Sequence, residues 1–142
     1  MRTQVIIIGG GPAGLLLSQL LNRAGVATVV LERQSRDYVL GRIRAGVLEH
    51  GTTQLLRQAG VGARMDAEGH PHDGCYLAHD QQMFRVDFTE SCGHQVMVYG
   101  QTEVTRDLYA AQDAIGATHV HGVEDVALHD LQGDAPYVTF HK

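Results

Sequence analysis

The sequence predicts an α/β fold, and three patterns near its start support this prediction. Three consecutive isoleucines follow Val5, as in a strand that is buried on both faces of a parallel sheet. Leucines then recur at helical spacing from Leu16 to Leu21, and Gly25 supplies the end of that helix. A second apolar run at 27–31 ends at Glu32, so that the segment 3–32 has the order strand, turn, helix, strand of a βαβ unit.

Each further element is predicted from its apolar spacing and its flanking turn residues. The βαβ unit consists of a strand at 3–8, a helix at 13–23 and a strand at 27–31. The elements after it are a helix at 47–59, antiparallel strands at 75–78 and 84–88, a strand at 96–99, a helix at 101–115, a strand at 118–123, and a hairpin of strands at 126–128 and 137–140. Because no repeat or linker interrupts them, residues 1–142 are predicted to form one domain.

The composition excludes several classes of protein. With 44% apolar and 19% charged residues, the chain is predicted to fold around a core. Its net charge of −5 excludes the long basic surface that binds nucleic acid. Gly9 and Pro12 interrupt the first apolar run, so neither a signal peptide nor a membrane span is predicted, and we expect a cytoplasmic protein. Cys75 and Cys92 are therefore expected to remain free thiols.

A glycine motif lies between the first strand and the first helix. Gly9, Gly11 and Gly14 form G-x-G-x-x-G, which permits a tight turn, brings a diphosphate close to the backbone and lets helix and strand pack closely. The diphosphate would lie at the helix N-terminus, where free N–H groups point at it. A plain glycine-rich turn is the alternative, but it leaves the acid at the end of the second strand unexplained.

That acid, Glu32, follows Gly14 by 18 residues and is placed to accept hydrogen bonds from ribose hydroxyls. Its charge would repel a 2′-phosphate, so NADP is disfavoured in this pocket. FAD and NAD both remain compatible with the pattern.

An arginine-rich segment follows the acid. Arg33, Arg36, Arg42 and Arg44 are four of the ten arginines and fall within 12 residues. Guanidinium groups bind phosphate oxygens in a bidentate manner, so this segment is predicted to assist the diphosphate site. The alternative is a solvated loop with spare charge.

Four stretches of the chain resemble a known family: GGGPAG at 9–14, LERQ at 31–34, YVLGRIRAGVLE at 38–49 and YGQTEVTRDL at 99–108. They are similar to the single-component flavoprotein aromatic hydroxylases of the 4-hydroxybenzoate 3-monooxygenase type. The first stretch is common to many flavoproteins, whereas the longer ones are more specific. The similarity extends over the whole chain and is weakest between 69 and 95.

The resemblance implies a Rossmann-like FAD-binding βαβ domain with additional antiparallel strands, truncated before the substrate-binding sheet. Residues 1–142 would be the incomplete N-terminal FAD-binding domain, and the substrate domain would be absent. The full-length protein would reduce FAD with NADPH or NADH. It would then hydroxylate 4-hydroxybenzoate or a similar phenolic acid ortho to its hydroxyl, through reaction of O2 with the reduced flavin. It is expected to be a homodimer, and the 142-residue chain alone is expected to be inactive.

The resemblance also implies roles for particular residues. Glu32 would hold the adenosine ribose, and Gln101 the ribityl and phosphate region. The remaining implied contacts are the glycine turn (Gly9, Gly11, Ala13 and Gly14) with Arg44 for the pyrophosphate, the segment Arg42, Ile43, Arg44, Ala45, Gly46 and Val47 for the flavin, and Arg33, Gln34, Tyr38, Arg42 and Arg44 for transient docking of NADPH. Ala13 departs from the family, which often has a serine there.

His72 matches the histidine that the family uses at the outer end of a proton relay to the substrate phenol. Imidazole titrates near neutrality, which suits that role. An ordinary loop histidine is the alternative, because the chain has nine histidines. A metal site at His70, His72 and Asp73 is not expected, because no ligand spacing recurs.

The family's second flavin-binding motif and its substrate-binding residues have no counterpart in the sequence. Two hypotheses follow: the N-terminal part of a flavin-dependent hydroxylase, which is favoured, or a self-standing dinucleotide-binding module without catalysis. A small NAD-linked dehydrogenase is ranked last, because the only lysine is Lys142 and no Tyr-Lys pair exists.

Overall fold

The computed structural model describes residues 1–42 and 44–142, and strands alternate with helices from the first strand to residue 58. The strands are β1 (Val5–Ile8), β2 (Thr28–Glu32), β3 (Val47–Leu48), β4 (His70–His72), β5 (Gly74–His79), β6 (Gln82–Asp87), β7 (Val96–Val98), β8 (Thr118–His121), β9 (Glu124–His129) and β10 (Tyr137–His141). The helices are α1 (Pro12–Arg23), α2 (Arg36–Gly41), α3 (His50–Gln58), α4 (Ala63–Glu68), α5 (Phe88–Cys92) and α6 (Gln101–Ala114).

A three-stranded parallel sheet in the order β1-β2-β8 forms the centre of the fold. Strand β2 lies in the middle. Val29, Val30 and Leu31 are buried there because a strand pairs on each side of β2 and other elements pack on both faces of the sheet. Helix α1 connects β1 to its parallel neighbour β2, as the helix of a βαβ unit does. The predicted α/β class and βαβ unit are confirmed.

Two layers cover this sheet. On one face, α1 and α6 pack with α3 and α4 around a core that includes Leu15, Met65 and Leu108, each fully buried. On the other face, the antiparallel hairpin of β9 and β10 contributes Val126, Val138 and Phe140 against the sheet. The parallel sheet is therefore held between helices and a β-hairpin.

The expectation that the first strand is buried on both faces is wrong. Ile7 faces the helices and is 7% exposed, whereas Ile6 and Ile8 are 40% and 53% exposed. They border a groove of about 850 Å³ that separates β1 from the β9–β10 hairpin. Alternation along a strand places Ile6 and Ile8 on the same face, and the hairpin covers that face only in part.

The predicted helix at 47–59 begins later than expected. Val47 and Leu48 form strand β3, which pairs with Val98 and Met97 of β7, and helix α3 begins at His50. The β-branched residue at the start of that segment fits a ladder better than a first helical turn. Strand β4 joins the same small antiparallel sheet, whose order is β3-β7-β4.

The antiparallel strands predicted near 75–78 and 84–88 are confirmed as the β5–β6 hairpin, although Phe88 belongs to α5 rather than to the strand. The short helices α2, α4 and α5 were not predicted, because five or six residues give too few turns for a helical period to show. Cys75 and Cys92 are both exposed free thiols. No helix in the described part of the chain is long and apolar enough to span a membrane.

Candidate dinucleotide-binding site

A cleft of about 480 Å³ opens where β1 and β2 end. Ligands of open α/β sheets bind in such a crevice, outside the carboxyl ends of the parallel strands. Its walls come from the glycine turn, the end of β2, helix α2 with the segment after it, and the first turns of α6. The lining residues are Ile8, Gly9, Gly11, Pro12, Ala13, Gly14, Glu32, Gln34, Tyr38, Val39, Arg42, Arg44, Gln101 and Thr105.

The glycine turn requires glycine at two of its positions. Gly9 has a φ of 114°, which side chains rarely permit, and its N–H donates to the carbonyl of Leu31 at 2.8 Å. A Cβ on Gly14 would collide with the carbonyl oxygen of Gly9. The turn is therefore fixed against the end of β2, and helix α1 starts directly beside it.

The N-terminus of α1 is well suited to an anion. Pro12 occupies the first helical turn, the helix has no side-chain cap, and no acidic residue lies in that turn. First-turn N–H groups have no acceptor within their own helix, and they carry the positive end of the helix dipole. A diphosphate would supply the missing acceptors without competing with a carboxylate.

Glu32 is held in place by two backbone donors. The N–H of Gly10 donates to Oε2 at 2.7 Å, and the N–H of Gln34 donates to Oε1 at 2.8 Å. Each carboxylate oxygen can accept a further hydrogen bond, so the group still has capacity for ribose hydroxyls. A Cβ on Gly10 would approach the Cβ of Glu32 to 2.8 Å, which explains why glycine occupies that position.

Helix α2 forms the outer wall of the cleft. The hydroxyl of Ser35 caps it by accepting from the N–H of Tyr38 at 3.2 Å. Arg36 holds the helix to α6 through a bidentate pair with Asp113, in which Nη1 lies 3.0 Å from Oδ1. The exposed side chains of Tyr38 and Arg42 thereby border the cleft.

A buried tyrosine lies beneath this wall. Tyr109 is 1% exposed, and the guanidinium of Arg36 lies 4.4 Å above its ring centroid. Burial raises the pKa of Tyr109 to about 12, so its hydroxyl keeps its proton at neutral pH. That hydroxyl has no hydrogen-bond partner among the described residues.

The start of α6 completes the cleft, and the residues just before this helix contact the chain just after Arg44. Gly100 precedes the helix, and a Cβ on Gly46 would lie 2.8 Å from the Cα of Gly100. The N–H of Tyr99 donates to the carbonyl of Gly46 at 2.7 Å. This close backbone approach places Gln101 in the cleft together with Arg44.

Most of the cofactor residues named from the sequence line this cleft. Arg33 instead faces a second, smaller cleft beside β9, and Ala45, Gly46 and Val47 lie next to the main cleft in the chain without lining it. The predicted contact at Ile43 lies outside the described residues. Ile8, Pro12, Val39 and Thr105 line the cleft but were not named. Each of them lies one residue or one helical turn from a named residue, and this spacing could have identified them.

His72 lies away from the cleft. It is exposed and ends β4, where it pairs in register with Val96. In the structure described, it therefore shares no wall with the glycine turn or Glu32.

A parallel sheet with a glycine turn, an uncapped helix N-terminus and an acid at the end of the second strand defines a dinucleotide-binding domain. Residues 2–142 match the family model described as the FAD binding domain. The chain belongs to this family of FAD-binding domains, which settles the choice between FAD and NAD in favour of FAD.

The relatives include a hydroxylase and several monooxygenases. The chain is 50% identical to p-hydroxybenzoate hydroxylase of Acinetobacter baylyi, over 99% of this chain and 35% of that protein. It is 36% identical to an uncharacterized aromatic compound monooxygenase of Bacillus subtilis, over 99% of this chain and 28% of that protein. The resemblance found in the residues is confirmed by the first of these, and the chain spans about a third of the length of such relatives.

Solved structures show the same fold. The p-nitrophenol 4-monooxygenase of Pseudomonas putida superposes with a TM-score of 0.78 at 22% identity, covering 97% of this chain and 35% of that one. At this identity the likeness establishes the architecture alone.

Proposed function

We propose that this chain is the FAD-binding part of an NAD(P)H-dependent monooxygenase that hydroxylates 4-hydroxybenzoate or a similar phenolic acid ortho to its hydroxyl. The observation that carries the proposal is the fixed pair of the α1 N-terminus and the Glu32 carboxylate at one end of the sheet. The 50% identity to p-hydroxybenzoate hydroxylase supports the choice of substrate class.

The chain's own residues would divide the work of binding FAD. The turn at Gly9, Gly11, Ala13 and Gly14 would receive the diphosphate on backbone N–H groups, and Glu32 would accept from the ribose. Reduced FAD, when bound, would supply the chemistry that activates O2. Gln101 and Arg44, which border the same cleft, would contact the central part of the cofactor.

The nicotinamide cofactor would bind transiently at the exposed outer wall. Tyr38, Arg42 and Arg44 are all exposed there, so they can meet a second ligand from solvent. The guanidinium groups suit its phosphates. Arg33 and Gln34 would extend this surface on the side towards β9.

His72 is proposed for the outer end of a proton relay in the complete protein. Its exposure on β4 suits exchange of protons with solvent. The inner end of the relay would have to come from residues outside this chain, because nothing in the described structure joins His72 to the cleft.

FAD binding by the 142-residue chain is the direct test of the first step. We expect FAD to bind saturably in a fluorescence anisotropy titration. We also expect Glu32→Gln to weaken binding at least about tenfold, because charged hydrogen bonds are worth about 1.5–3 kcal/mol. The matched control is Glu90→Gln, which neutralises an exposed acid on α5 outside the cleft and leaves affinity unchanged. Binding of NAD without saturable binding of FAD would contradict the proposal.

The reaction itself is tested on the full-length gene product. We expect FAD-loaded protein to consume NADPH or NADH faster when 4-hydroxybenzoate is present, and to add one oxygen atom to it, detected by mass spectrometry. No gain of oxygen in any of a panel of phenolic acids would refute the substrate class while leaving FAD binding standing.

A further inference from the structure

The loop that follows Glu32 is hydrogen-bonded to a histidine on the neighbouring strand, β8. His121 of β8 is the in-register partner of Glu32 in the parallel pairing of β2 with β8. Its ring nitrogen Nδ1 lies 3.1 Å from the carbonyl oxygen of Gln34. A carbonyl can only accept, so Nδ1 carries the proton in this contact.

Gln34 is thereby fixed through both of its backbone groups. Its N–H donates to Oε1 of Glu32 at 2.8 Å, and its carbonyl accepts from His121. The other carboxylate oxygen of Glu32 accepts from Gly10. The direction of the carboxylate is thus set by two loops, and one of these loops is attached to His121.

The ring of His121 is itself backed by α6. The Tyr109 ring packs against it with centroids 5.9 Å apart, and the His119 ring lies 6.2 Å away on the same face of β8. Tyr109 is fully enclosed and is covered by the guanidinium of Arg36. His121 therefore has packing partners on α6 and β8 in addition to its hydrogen bond to the loop.

We infer that His121 is a positioning residue for the ribose-binding carboxylate: by holding the Gln34 carbonyl it sets the loop whose N–H orients Glu32. The inference rests on the proposed binding of an adenosine diphosphate in the cleft. His121 does not line that cleft, so its effect on a ligand would pass through Glu32.

The test uses ADP and 2′-deoxy-ADP as probes, measured by displacement of FAD from the 142-residue chain. Because an acid in this position bonds the ribose 2′-hydroxyl, ADP reports on that hydrogen bond to Glu32 and 2′-deoxy-ADP does not. We expect His121→Leu to weaken ADP binding about fivefold, the size of one net hydrogen bond, and to weaken 2′-deoxy-ADP binding less, because that probe has lost one of the two hydroxyls that Glu32 can bond.

His121→Asn is the conservative variant, because an amide N–H can replace the Nδ1–H donor, and we expect it to recover most of the ADP affinity. His79→Leu, an exposed histidine on β5, is the matched control and should affect neither probe. Equal losses for ADP and 2′-deoxy-ADP, or no recovery in His121→Asn, would overturn the positioning role. If the unmodified chain bound neither FAD nor ADP, the proposed function would fall with it.

Discussion

At the scale of single residues, Gly14 is the position in the site that is least able to accept a side chain. Any side chain would meet the backbone oxygen of Gly9, which cannot move without opening the turn. Relief would require α1 to shift away from β1, and with it the N–H groups proposed to bind the diphosphate. Packing, turn geometry and the proposed binding of the diphosphate thus all depend on Gly14.

Gly14→Ala is expected to destabilise the chain by about 1–3 kcal/mol, as overpacking of a close contact does. This substitution should also weaken the binding of FAD. Urea unfolding followed by circular dichroism measures the first effect. The matched control is Gly51→Ala on α3, where a Cβ meets nothing within 4 Å, and stability should change by less than about 1 kcal/mol. Equal behaviour of the two variants would contradict the assigned clash.

His119 is a half-buried titrating residue of the fold. Burial, together with the charge of His121, lowers the pKa of His119 below its ordinary value of 6.5, although Asp113 opposes this. Its Nε2 contacts Oε1 of Gln112, which is buried against α1. Because the folded pKa lies below the unfolded one, the unfolded chain binds more protons in the window between the two values, and stability there falls as pH falls.

We therefore expect the free energy of unfolding to decrease as pH is lowered from about 7.5 to 5.5, and to decrease less in His119→Gln, which keeps an N–H donor for Gln112 but does not titrate. Thermal or urea unfolding across this range measures the difference between the two chains. Parallel pH profiles would show that His119 does not contribute.

At the scale of elements, α2 is a six-residue helix whose attachment depends on few contacts. The Arg36–Asp113 pair lies at its first turn and joins it to α6. The guanidinium lowers the pKa of Asp113, so the pair contributes above the ordinary carboxyl pKa and is lost as pH falls through the folded value. Both side chains are about half exposed, which limits the pair to about 0.5 kcal/mol of stability.

Asp113→Asn should accordingly leave global stability nearly unchanged but speed amide hydrogen exchange in residues 37–41 about twofold, since local opening is what the pair opposes. The matched control is Asp66→Asn, which breaks the similarly exposed pair with Arg57 on α3 and should not alter exchange in α2. Unchanged exchange in residues 37–41 of Asp113→Asn would show that α2 is held by other contacts.

The elements also show what the sequence could and could not supply. The βαβ unit was predictable because its apolar periods are long and glycines mark its ends, and Glu32 followed from the same spacing. The start of α3 was not, because only pairing with β7 makes Val47 and Leu48 a strand. The bond from His121 to Gln34 joins residues 87 positions apart, which no local pattern reveals.

At the scale of the whole molecule, β1 pairs only with β2 within the described residues, and its other edge borders the groove of about 850 Å³. Ile6, Leu128 and Tyr137 are exposed around that groove. An unpaired edge beside apolar side chains promotes association between chains.

The 142-residue chain is therefore expected to self-associate as its concentration rises, measured by sedimentation velocity. Ile6→Lys should reduce this association, because a charge at the edge opposes pairing. Leu17→Lys, which replaces a comparably exposed leucine on α1, should not. A monomer at all concentrations would contradict the expectation.

The central claim is that the cleft at the end of the parallel sheet holds the adenosine diphosphate half of FAD. Competition against bound FAD tests it most directly, with ADP and FMN as the two halves of the cofactor. We expect ADP to displace FAD competitively at lower concentration than FMN does. Displacement by FMN without displacement by ADP would contradict the assignment of the Gly9 turn and Glu32 to the adenosine diphosphate.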